Sequence, residues 1–235
     1  MKIIIAGFGK MGHELANIAT DRGHSIVAVF NNEEDWKNNS IPDCDVVIDF
    51  STPASAPEIV NFCFDNNIPV ISGTTGWTDR VSLAMERARI EGKTFFYASN
   101  FSIGVNIFSE INKKLASFLC PLNEYQVNIH EVHHIHKKDA PSGTAITLAN
   151  EIIATCNRYK DWNLNGEESG KISISSERIG EVPGTHIIEW NSPIDSIQLK
   201  HTAHSRKGFA LGAIIAAEWL NGKKGVFSMK DLLFD

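Results

Sequence analysis

A glycine-rich turn near the N-terminus constrains the fold of this chain more than any other feature. The apolar run Lys2–Ala6 leads into Gly7-Phe8-Gly9-Lys10-Met11-Gly12, and helical periodicity follows over Met11–Arg22. In such a strand–turn–helix unit the first glycine permits the tight turn, the second lets the backbone approach a pyrophosphate, and the third allows close helix packing. The six residues are therefore predicted to bind a dinucleotide. A glycine-rich turn without a ligand is the alternative.

Short β-branched runs alternate with helical segments over residues 1–100, which is typical of a parallel sheet with crossover helices. The predicted strands are Lys2–Ala6, Ser25–Phe30, Asp45–Phe50, Pro69–Ser72 and Thr94–Ala98. The predicted helices are Met11–Arg22, a helix capped by Ser51 or Thr52 with Pro53 in its first turn, and Thr78–Glu91, which Gly92 ends.

The alternation of strands and helices ends after Gly104, and most of the later predicted strands follow one another after the helices. The predicted elements are helices Val105–Phe118 and Thr144–Cys156 and strands Tyr125–Val132, Lys171–Glu177, Thr185–Asn191 and Ser196–His201, with a mobile polar loop over Asp161–Gly170. This order indicates an antiparallel or mixed sheet of α+β type. The apolar helix Phe209–Asn221 is expected to return to the first domain.

The predicted fold class is therefore α/β, with two domains. A Rossmann-type dinucleotide-binding domain takes residues 1–104 plus 207–235, and an α+β domain for substrate binding and oligomerisation takes residues 105–206. Hydride transfer between a dinucleotide and a substrate needs these domains to close, so hinges are predicted near Ser102–Gly104 and Arg206–Gly208, where a glycine accompanies each crossover.

Three further loops are expected at the carboxyl ends of strands, where open α/β sheets bind ligands. The loops Gly73-Thr74-Thr75-Gly76 and Ala98-Ser99-Asn100-Phe101-Ser102 follow the fourth and fifth strands, and either could meet a nicotinamide ring. Each is also explained as an ordinary turn. Asn31-Asn32-Glu33 follows the second strand, where an acidic residue would favour NADH and an arginine NADPH. Glu33 is a candidate for the ribose or a solvated carboxylate, so both cofactors stay open.

Composition restricts the remaining function classes. The net charge of -6, with no block of Lys or Arg, repels phosphate backbones and argues against nucleic acid as a partner. The apolar run that ends at Gly7 is too short for a signal peptide, and Phe209–Ala217 is too short to span a membrane, so a cytoplasmic protein is expected. The four cysteines, Cys44, Cys63, Cys120 and Cys156, form no CxxC pair and are expected to be buried thiols.

The densest group of titratable side chains follows the strand Tyr125–Val132. It comprises His133, His134, His136, Lys137 and Lys138. A zinc site is one interpretation, but His133 and His134 project to opposite faces of an extended strand and no cysteine completes a ligand set, so no metal is expected. A solvated basic loop is another.

The segment that follows favours an anion pocket with an acid catalyst. Asp139-Ala140-Pro141-Ser142-Gly143-Thr144-Ala145 leads into a helix, with Ser142 as a candidate cap. The amides of Gly143 and Thr144 would then lie at the positive end of the helix dipole, where a carboxylate binds well. Histidine can donate a proton near neutral pH, and lysine supplies positive charge.

With these residues in view, the chain resembles the 4-hydroxy-tetrahydrodipicolinate reductases, also called dihydrodipicolinate reductases, of diaminopimelate and lysine biosynthesis. The resemblance rests on the stretch from Glu131 to Ala145, which is similar to the family signature HHxxKxDAPSGTA. It extends over nearly the whole chain through Val47–Ser51, Gly73–Gly76, Asn100–Ser102, Arg178–Gly180, Gly184, His186 and Ser205–Asp235.

The resemblance implies a role for each residue of the signature. His133 is the implied proton donor, Lys137 donates a proton or stabilises charge, His134 binds substrate, and Gly143 and Thr144 hold a substrate carboxylate. The implied cofactor, NADH or NADPH, contacts Gly7–Gly12, Gly73–Thr75 and Ala98–Phe101. The implied substrate is a small dicarboxylate, and the implied assembly is a homotetramer formed through the sheet of the second domain.

Two features depart from the family pattern. The glycine loop is shorter than the common form, and Asn31-Asn32 replaces the usual charged residue, so the resemblance does not choose between NADH and NADPH.

Two other functions stay open. Another Rossmann dehydrogenase acting on an amino or keto acid would explain the N-terminus but not the signature. A non-catalytic dinucleotide sensor would not need His133 and Lys137.

Overall fold

The computed structural model describes residues 1–31, 34–37, 41–166, 168–205 and 207–235. Asn32 and Glu33, the candidates beside the cofactor ribose, and Arg206, in the second predicted hinge, lie outside the described residues. The chain separates into two compact units: residues 1–103 together with 207–235 form unit 1, and residues 104–206 form unit 2. Each unit has its own sheet.

Unit 1 contains a six-stranded sheet with helices packed against it. Its strands are β1 (Lys2–Ala6), β2 (Ser25–Phe30), β3 (Val46–Asp49), β4 (Val70–Ser72), β5 (Thr94–Tyr97) and β11 (Gly225–Phe227). Its helices are α1 (Lys10–Asp21), α2 (Glu34–Lys37), α3 (Ala56–Asp65), α4 (Thr78–Glu91), α7 (Lys207–Leu220) and α8 (Met229–Phe234). The strand order is β11-β5-β4-β3-β1-β2, and all neighbouring pairs are parallel.

The central strands of unit 1 are buried on both faces because separate apolar clusters cover them. Ile3, Ile5 and Ile48 pack with α1 and α7 on one side, whereas Ile4 and Val47 pack with α3 and α4 on the other. This is the arrangement expected of parallel strands flanked by crossover helices. It confirms the predicted α/β class with a Rossmann-like sheet.

Unit 2 combines two helices with a mixed five-stranded sheet. Its helices are α5 (Ile103–Leu119, whose first residue is assigned to unit 1) and α6 (Gly143–Thr155), and its strands are β6 (Gln126–His133), β7 (Asp161–Leu164), β8 (Lys171–Arg178), β9 (Gly184–Asn191) and β10 (Ser196–Ala203). The order is β10-β9-β6-β8-β7, with β6 antiparallel to β9 and parallel to β8. Side chains of α5 and α6 cover one face of this sheet.

Three parts of the predicted secondary structure were wrong. Ser51 does not cap a helix, because its amide and hydroxyl both donate to the buried carboxylate of Asp49, and α3 begins at Ala56 after Ser55 as N-cap. The polar loop predicted over 161–170 begins with strand β7, which pairs with β8. The sequence patterns predicted neither α2 nor β11 nor α8.

The prediction of four free thiols was wrong for Cys120 and Cys156, which form a disulfide between the residue after α5 and the residue after α6. The absence of a CxxC pair gave no sign of it, because 36 residues separate the two cysteines and the packing of α5 beside α6 brings them together. Cys44 and Cys63 are free. Burial raises the pKa of the Cys44 thiol to about 11 and also raises that of Cys63, so both stay protonated at neutral pH.

Within the described residues, the helices are all too short or too polar to cross a membrane.

Candidate active site

The glycine turn of unit 1 has the close contacts that a dinucleotide cradle requires. Gly7 has φ +89° and its amide donates to Phe30 O at 2.7 Å. A Cβ at Gly7 would lie 2.4 Å from Phe50 O, and one at Gly12 would lie 2.3 Å from Gly7 O, so both positions exclude a side chain. A Cβ at Gly9 would meet no atom within 4 Å, so the backbone there borders open space at the start of α1. The turn therefore fits a bound pyrophosphate.

The side chains of the glycine turn differ in their exposure to solvent and so in their access to a bound cofactor. Lys10 is exposed, whereas Met11 packs against the apolar core. The Phe8 ring lies 4.1 Å from the His13 ring, and the Phe8 amide donates to Asn31 Oδ1 at 3.0 Å. Asn31 thus ties the end of β2 to the turn through its side chain.

The two loops after β4 and β5 lie at the same edge of the parallel sheet as the glycine turn. A Cβ at Gly73 would lie 2.3 Å from the Phe50 ring, and Trp77 Nε1 donates to Thr74 O at 2.8 Å. The loop after β4 therefore packs closely against Phe50 and is fixed by the Trp77 side chain. Thr74 is buried and Thr75 is exposed. The structure thus places Gly73, Thr74 and Thr75 beside the predicted cradle.

The loop after β5 offers a different set of groups. Ser99 is exposed and Asn100 is half-buried, with its Oδ1 accepting from the Ser102 amide at 2.9 Å. Ala98 is buried, and Phe101 is 1% exposed within the core of unit 1. A ligand at this loop would therefore meet the side chains of Ser99 and Asn100 and only the backbone of Phe101.

In unit 2, the central strand β6 ends at His133 and directs every second side chain inward. Val127, Ile129, Glu131 and His133 are all buried, as the period of a strand requires. Glu131 is 0% exposed and His133 is 8% exposed. A carboxylate and an imidazole therefore occupy positions that continue an apolar row, which is costly unless they are paired.

The pairing of Glu131 is extensive. Its Oε1 accepts from the Ser142 amide at 2.9 Å, from Ser176 Oγ at 2.8 Å and from Arg178 Nη2 at 3.1 Å. Its Oε2 lies 3.0 Å from His133 Nδ1. Burial alone would raise the pKa of Glu131, but the interactions with His133, Ser142 and Ser176 outweigh burial and hold this pKa far below its usual value. The carboxylate is therefore ionised at neutral pH.

The turn after β6 holds the remaining residues of the signature. His134 is half-buried, and its carbonyl accepts from the Lys137 amide at 3.1 Å. Lys137 Nζ lies 2.8 Å from Asp139 Oδ2, and this pairing lowers the pKa of Asp139 against the opposing effect of burial. His136 is exposed and pairs with Glu181 at 3.1 Å, so its side chain belongs to the surface.

The predicted anion site at the start of α6 has the expected form. Ser142 is the N-cap and its side chain accepts from the Ala145 amide at 3.2 Å, so Gly143 and Thr144 are the first two helical residues. Gly143 is exposed and a Cβ on it would meet no atom within 4 Å, whereas Thr144 is half-buried. The exposed amides of a first turn suit a carboxylate.

Two residues of this site, Arg178 and His186, are predicted only by the family resemblance and not by residue patterns. Arg178 on β8 donates to Glu131 and to the backbone carbonyls of Lys137 and Asp139. The His186 ring on β9 lies 5.1 Å from the His133 ring. Burial, then the charge of His133, lowers the pKa of His186 to about 4, so this imidazole is neutral at pH 7.

Glu131, His133 and His186 also form a group that the sequence did not predict as metal ligands. One ligand atom from each lies within 4.8 Å of the other two. However, the 3.0 Å distance between Nδ1 and Oε2 is that of a paired imidazole and carboxylate, and the guanidinium of Arg178 on the other oxygen adds a fixed positive charge. These charges oppose a cation and favour an ion pair.

Comparisons with family models and with related sequences find the same family, and together they cover the whole chain. Residues 1–101 match the family model "Dihydrodipicolinate reductase, N-terminus", and residues 104–233 match "Dihydrodipicolinate reductase, C-terminus". A 4-hydroxy-tetrahydrodipicolinate reductase of Christiangramia forsetii is 47% identical, with 100% of this chain and 98% of the relative covered. One of Thermosipho africanus is 35% identical, with 99% and 98% covered.

Solved structures support the fold. A dipicolinate-bound dihydrodipicolinate reductase from Paenisporosarcina sp. TG-14 superposes with a TM-score of 0.79 at 23% identity, covering 100% of this chain and 99% of that one. An amine dehydrogenase from Mycobacterium smegmatis superposes with a TM-score of 0.57 at 10% identity, covering 96% and 94%.

Proposed function

This chain belongs to the dihydrodipicolinate reductase family, and we propose on that premise that it reduces 4-hydroxy-tetrahydrodipicolinate to tetrahydrodipicolinate in diaminopimelate and lysine biosynthesis. The overall reaction consumes NADH or NADPH and one proton and releases water. The observation that most supports this function within unit 2 is the group of side chains and amides after β6: a buried imidazole, an ammonium four residues further along the chain and an open helix N-terminus. An imine dicarboxylate needs these three groups.

The proposed roles follow from what each side chain contacts. Because Nδ1 of His133 faces Glu131, Nε2 is the atom that donates a proton to the substrate as negative charge develops toward its ring nitrogen. Gly143 and Thr144 bind one substrate carboxylate through their amides. Lys137 leaves Asp139 to pair with a carboxylate or to assist proton donation, and His134 contributes a further polar contact.

The proposed reductant binds at unit 1 through the glycine turn and the loops 73–75 and 98–101. When bound, a reduced nicotinamide supplies the hydride to the ring carbon C4 of the dehydrated substrate. The vacant space at Gly9 and the close approach of Gly12 to Gly7 support this assignment. The residues of unit 1 bind and orient, and those of unit 2 supply the proton.

The decisive experiment is a turnover assay with freshly prepared 4-hydroxy-tetrahydrodipicolinate, with NADH and NADPH tested in turn. We expect His133→Gln to lower kcat by about 100- to 10,000-fold, the usual contribution of a general acid, with a modest change in KM. Lys137→Ala should lower kcat and raise KM, because a carboxylate loses its countercharge.

His136→Gln is the matched control, since His136 pairs with Glu181 at the surface. It should retain wild-type kinetics. Oxidation of neither cofactor by the wild-type protein would exclude the proposed reaction, and a kcat of His133→Gln equal to that of the control would remove His133 from the acid role.

We also propose a cytoplasmic homotetramer assembled through the sheet of unit 2. The face of this sheet opposite α5 and α6 presents half-buried polar side chains such as Asn128 and Ser173, and β10 is largely exposed. Light scattering of the purified protein should give four times the mass of one chain, 26.0 kDa. A monomeric mass at working concentration would contradict this assembly.

A further inference from the structure

The carboxylate of Glu131 is fully buried, at a position of β6 where a charge is costly to hold. Val127 and Ile129 fill the preceding inward positions of β6, and removing a charge from water costs several kcal/mol unless it is fully compensated. Here three donors contact one oxygen, and the imidazole of His133 lies beside the other. Oε1 is thus held by three donors, while Oε2 is left facing the imidazole alone, which suggests that the carboxylate is placed there to act on His133.

We propose that Glu131 is a positioning residue for the reduction proposed above. It orients His133 so that Nε2 points away from the carboxylate. It also fixes the position of the Lys137 turn and of the start of α6 relative to His133. This inference rests on the proposed function for its kinetic part. Its structural part concerns only the contacts among Glu131, His133, Arg178 and Ser142. The two parts can therefore be tested separately.

The orientation of the imidazole follows from its two nitrogens. Nδ1 is 3.0 Å from Glu131 Oε2, the spacing of an ion pair, and neither atom meets hydrogen-bond geometry with any of the described residues. Nε2 lies on the other side of the ring, where a Cβ added to Gly184 would be only 2.9 Å away. A carboxylate at this distance should favour a proton on Nδ1 of the neutral ring, and the bare glycine leaves room at Nε2.

The link to the substrate-binding elements runs through Oε1. Arg178 donates to this oxygen and also to the carbonyls of Lys137 and Asp139, so one guanidinium joins the carboxylate to the turn. The Ser142 amide donates to the same oxygen from the residue that caps α6. A single carboxylate therefore sets the relative positions of the proton donor, the ammonium and the anion-binding amides.

The charged and titratable groups around His133 determine the expected pH dependence. They are Glu131 on its own strand, Arg178 on β8, His186 on β9, and Lys137 and Asp139 on the following turn, while His201 on β10 acts on His186. Of these, Glu131 is the anion in direct contact with the imidazole. Removing its charge takes away the one anion in contact with the ring, so the pH profile of kcat is expected to change.

Glu131→Gln is the most specific test of the carboxylate charge, because an amide oxygen can still accept from Ser142, Ser176 and Arg178. Its NH₂ group then faces Nδ1, which reverses the favoured tautomer of His133. We expect kcat to fall by about 10- to 100-fold, as when carboxylate partners of other functional histidines are removed. The dependence of kcat on pH should also change, because the imidazole loses the anion beside it.

Two further variants complete the kinetic test. Glu177→Gln is the matched control, since it removes a carboxylate from the adjacent strand where the side chain is exposed and faces His130. It should leave kcat and its pH profile unchanged. Glu131→Asp keeps the charge, so it should recover the wild-type pH profile with a partial loss of kcat. If Glu131→Gln matches Glu177→Gln in both kcat and pH profile, the proposal is wrong.

A measurement on the wild-type protein keeps the proposal testable even if Glu131→Gln does not fold. Nitrogen-15 NMR of histidine-labelled protein, with the His133 signals identified by their loss in His133→Gln, should show neutral His133 protonated on Nδ1. Protonation on Nε2 instead would overturn the proposal. Because this readout needs no turnover, a wild-type protein that fails to reduce the substrate would contradict the proposed function and leave the tautomer result to be judged by itself.

Discussion

Gly184 shows how a single residue controls access to the proposed proton donor. A Cβ at this position would approach His133 Nε2 to 2.9 Å, closer than real Cβ contacts. The imidazole would have to rotate away from Glu131 or tilt out of line with the substrate. The chemistry of His133 therefore depends on a neighbour without a side chain, 51 residues later on β9.

We predict that Gly184→Ala lowers kcat more than it raises KM, because the methyl group displaces the proton donor but does not touch Gly143 or Thr144. A small displacement of a catalytic group can cost about 100-fold in rate. Steady-state kinetics with a thermal melt of the same sample would test this. A variant with wild-type kcat, or one that loses activity only because it is unfolded, would contradict the prediction.

At the scale of the element, the sequence determined some boundaries better than others. Helix α4 has the predicted bounds, Thr78–Glu91, because Gly92 adopts the left-handed C-cap that ends it. The strand β7 was missed because its four residues lie in a polar segment and form a strand only by pairing with β8, and β11 was missed because its three residues pair with β5, which is distant in sequence. Local patterns contain no information about such partners.

The same distinction applies to the candidate site. The alternation along β6 placed Glu131 and His133 on one face, and a charged residue in an apolar row was a usable signal for Glu131. Arg178 and His186 lie beside this pair only because β8 and β9 flank β6 in a particular register, which pairs His133 with Arg178 and Glu131 with His186. Residue patterns alone do not specify that register.

The contact between α1 and α7 provides a prediction about acid stability. Both oxygens of Glu218 accept from the Arg22 guanidinium, at 2.8 and 2.7 Å, and His24 Nε2 lies 2.8 Å from Oε1. The hydrogen bond from Arg22, with a smaller contribution from His24, lowers the pKa of Glu218 to about 2 from its ordinary 4.5, despite partial burial. Because the folded state binds this proton more weakly, the stabilisation is present above pH 4.5 and is lost as pH falls toward about 2.

We therefore expect Glu218→Gln to lower the free energy of unfolding at pH 7 by about 1 kcal/mol or less, since the pair is partly exposed and screened by salt. The deficit should shrink between pH 4.5 and about 2, where the wild type loses the same contribution. Urea unfolding across this range, with Glu86→Gln on the exposed face of α4 as control, would measure it. A deficit that stays constant with pH would contradict the assignment.

At the scale of the whole molecule, unit 1 is assembled from two separate parts of the chain. Helix α7, which follows all of unit 2, supplies Ala210, Ala213, Ile214 and Ala217 to the same apolar cluster as Ile3 and Ile48. It also packs against α1, the helix that begins at the glycine turn. The proposed cofactor site thus depends on residues that the chain provides only after the proposed substrate site is complete.

Ile214→Ala tests this dependence, with Ile194→Ala as a matched control, because Ile214 is 0% exposed and Ile194 is 91% exposed. The buried substitution should lower the free energy of unfolding by about 2–5 kcal/mol through loss of contacts and a cavity, and the exposed one should have little effect. Hydrogen exchange should locate the change: amides of β1 and β3 should exchange faster in Ile214→Ala, whereas those of β6 and β9 should keep their wild-type rates. Faster exchange confined to α7, or spread equally over both units, would mean that the C-terminal helix does not complete the core of unit 1.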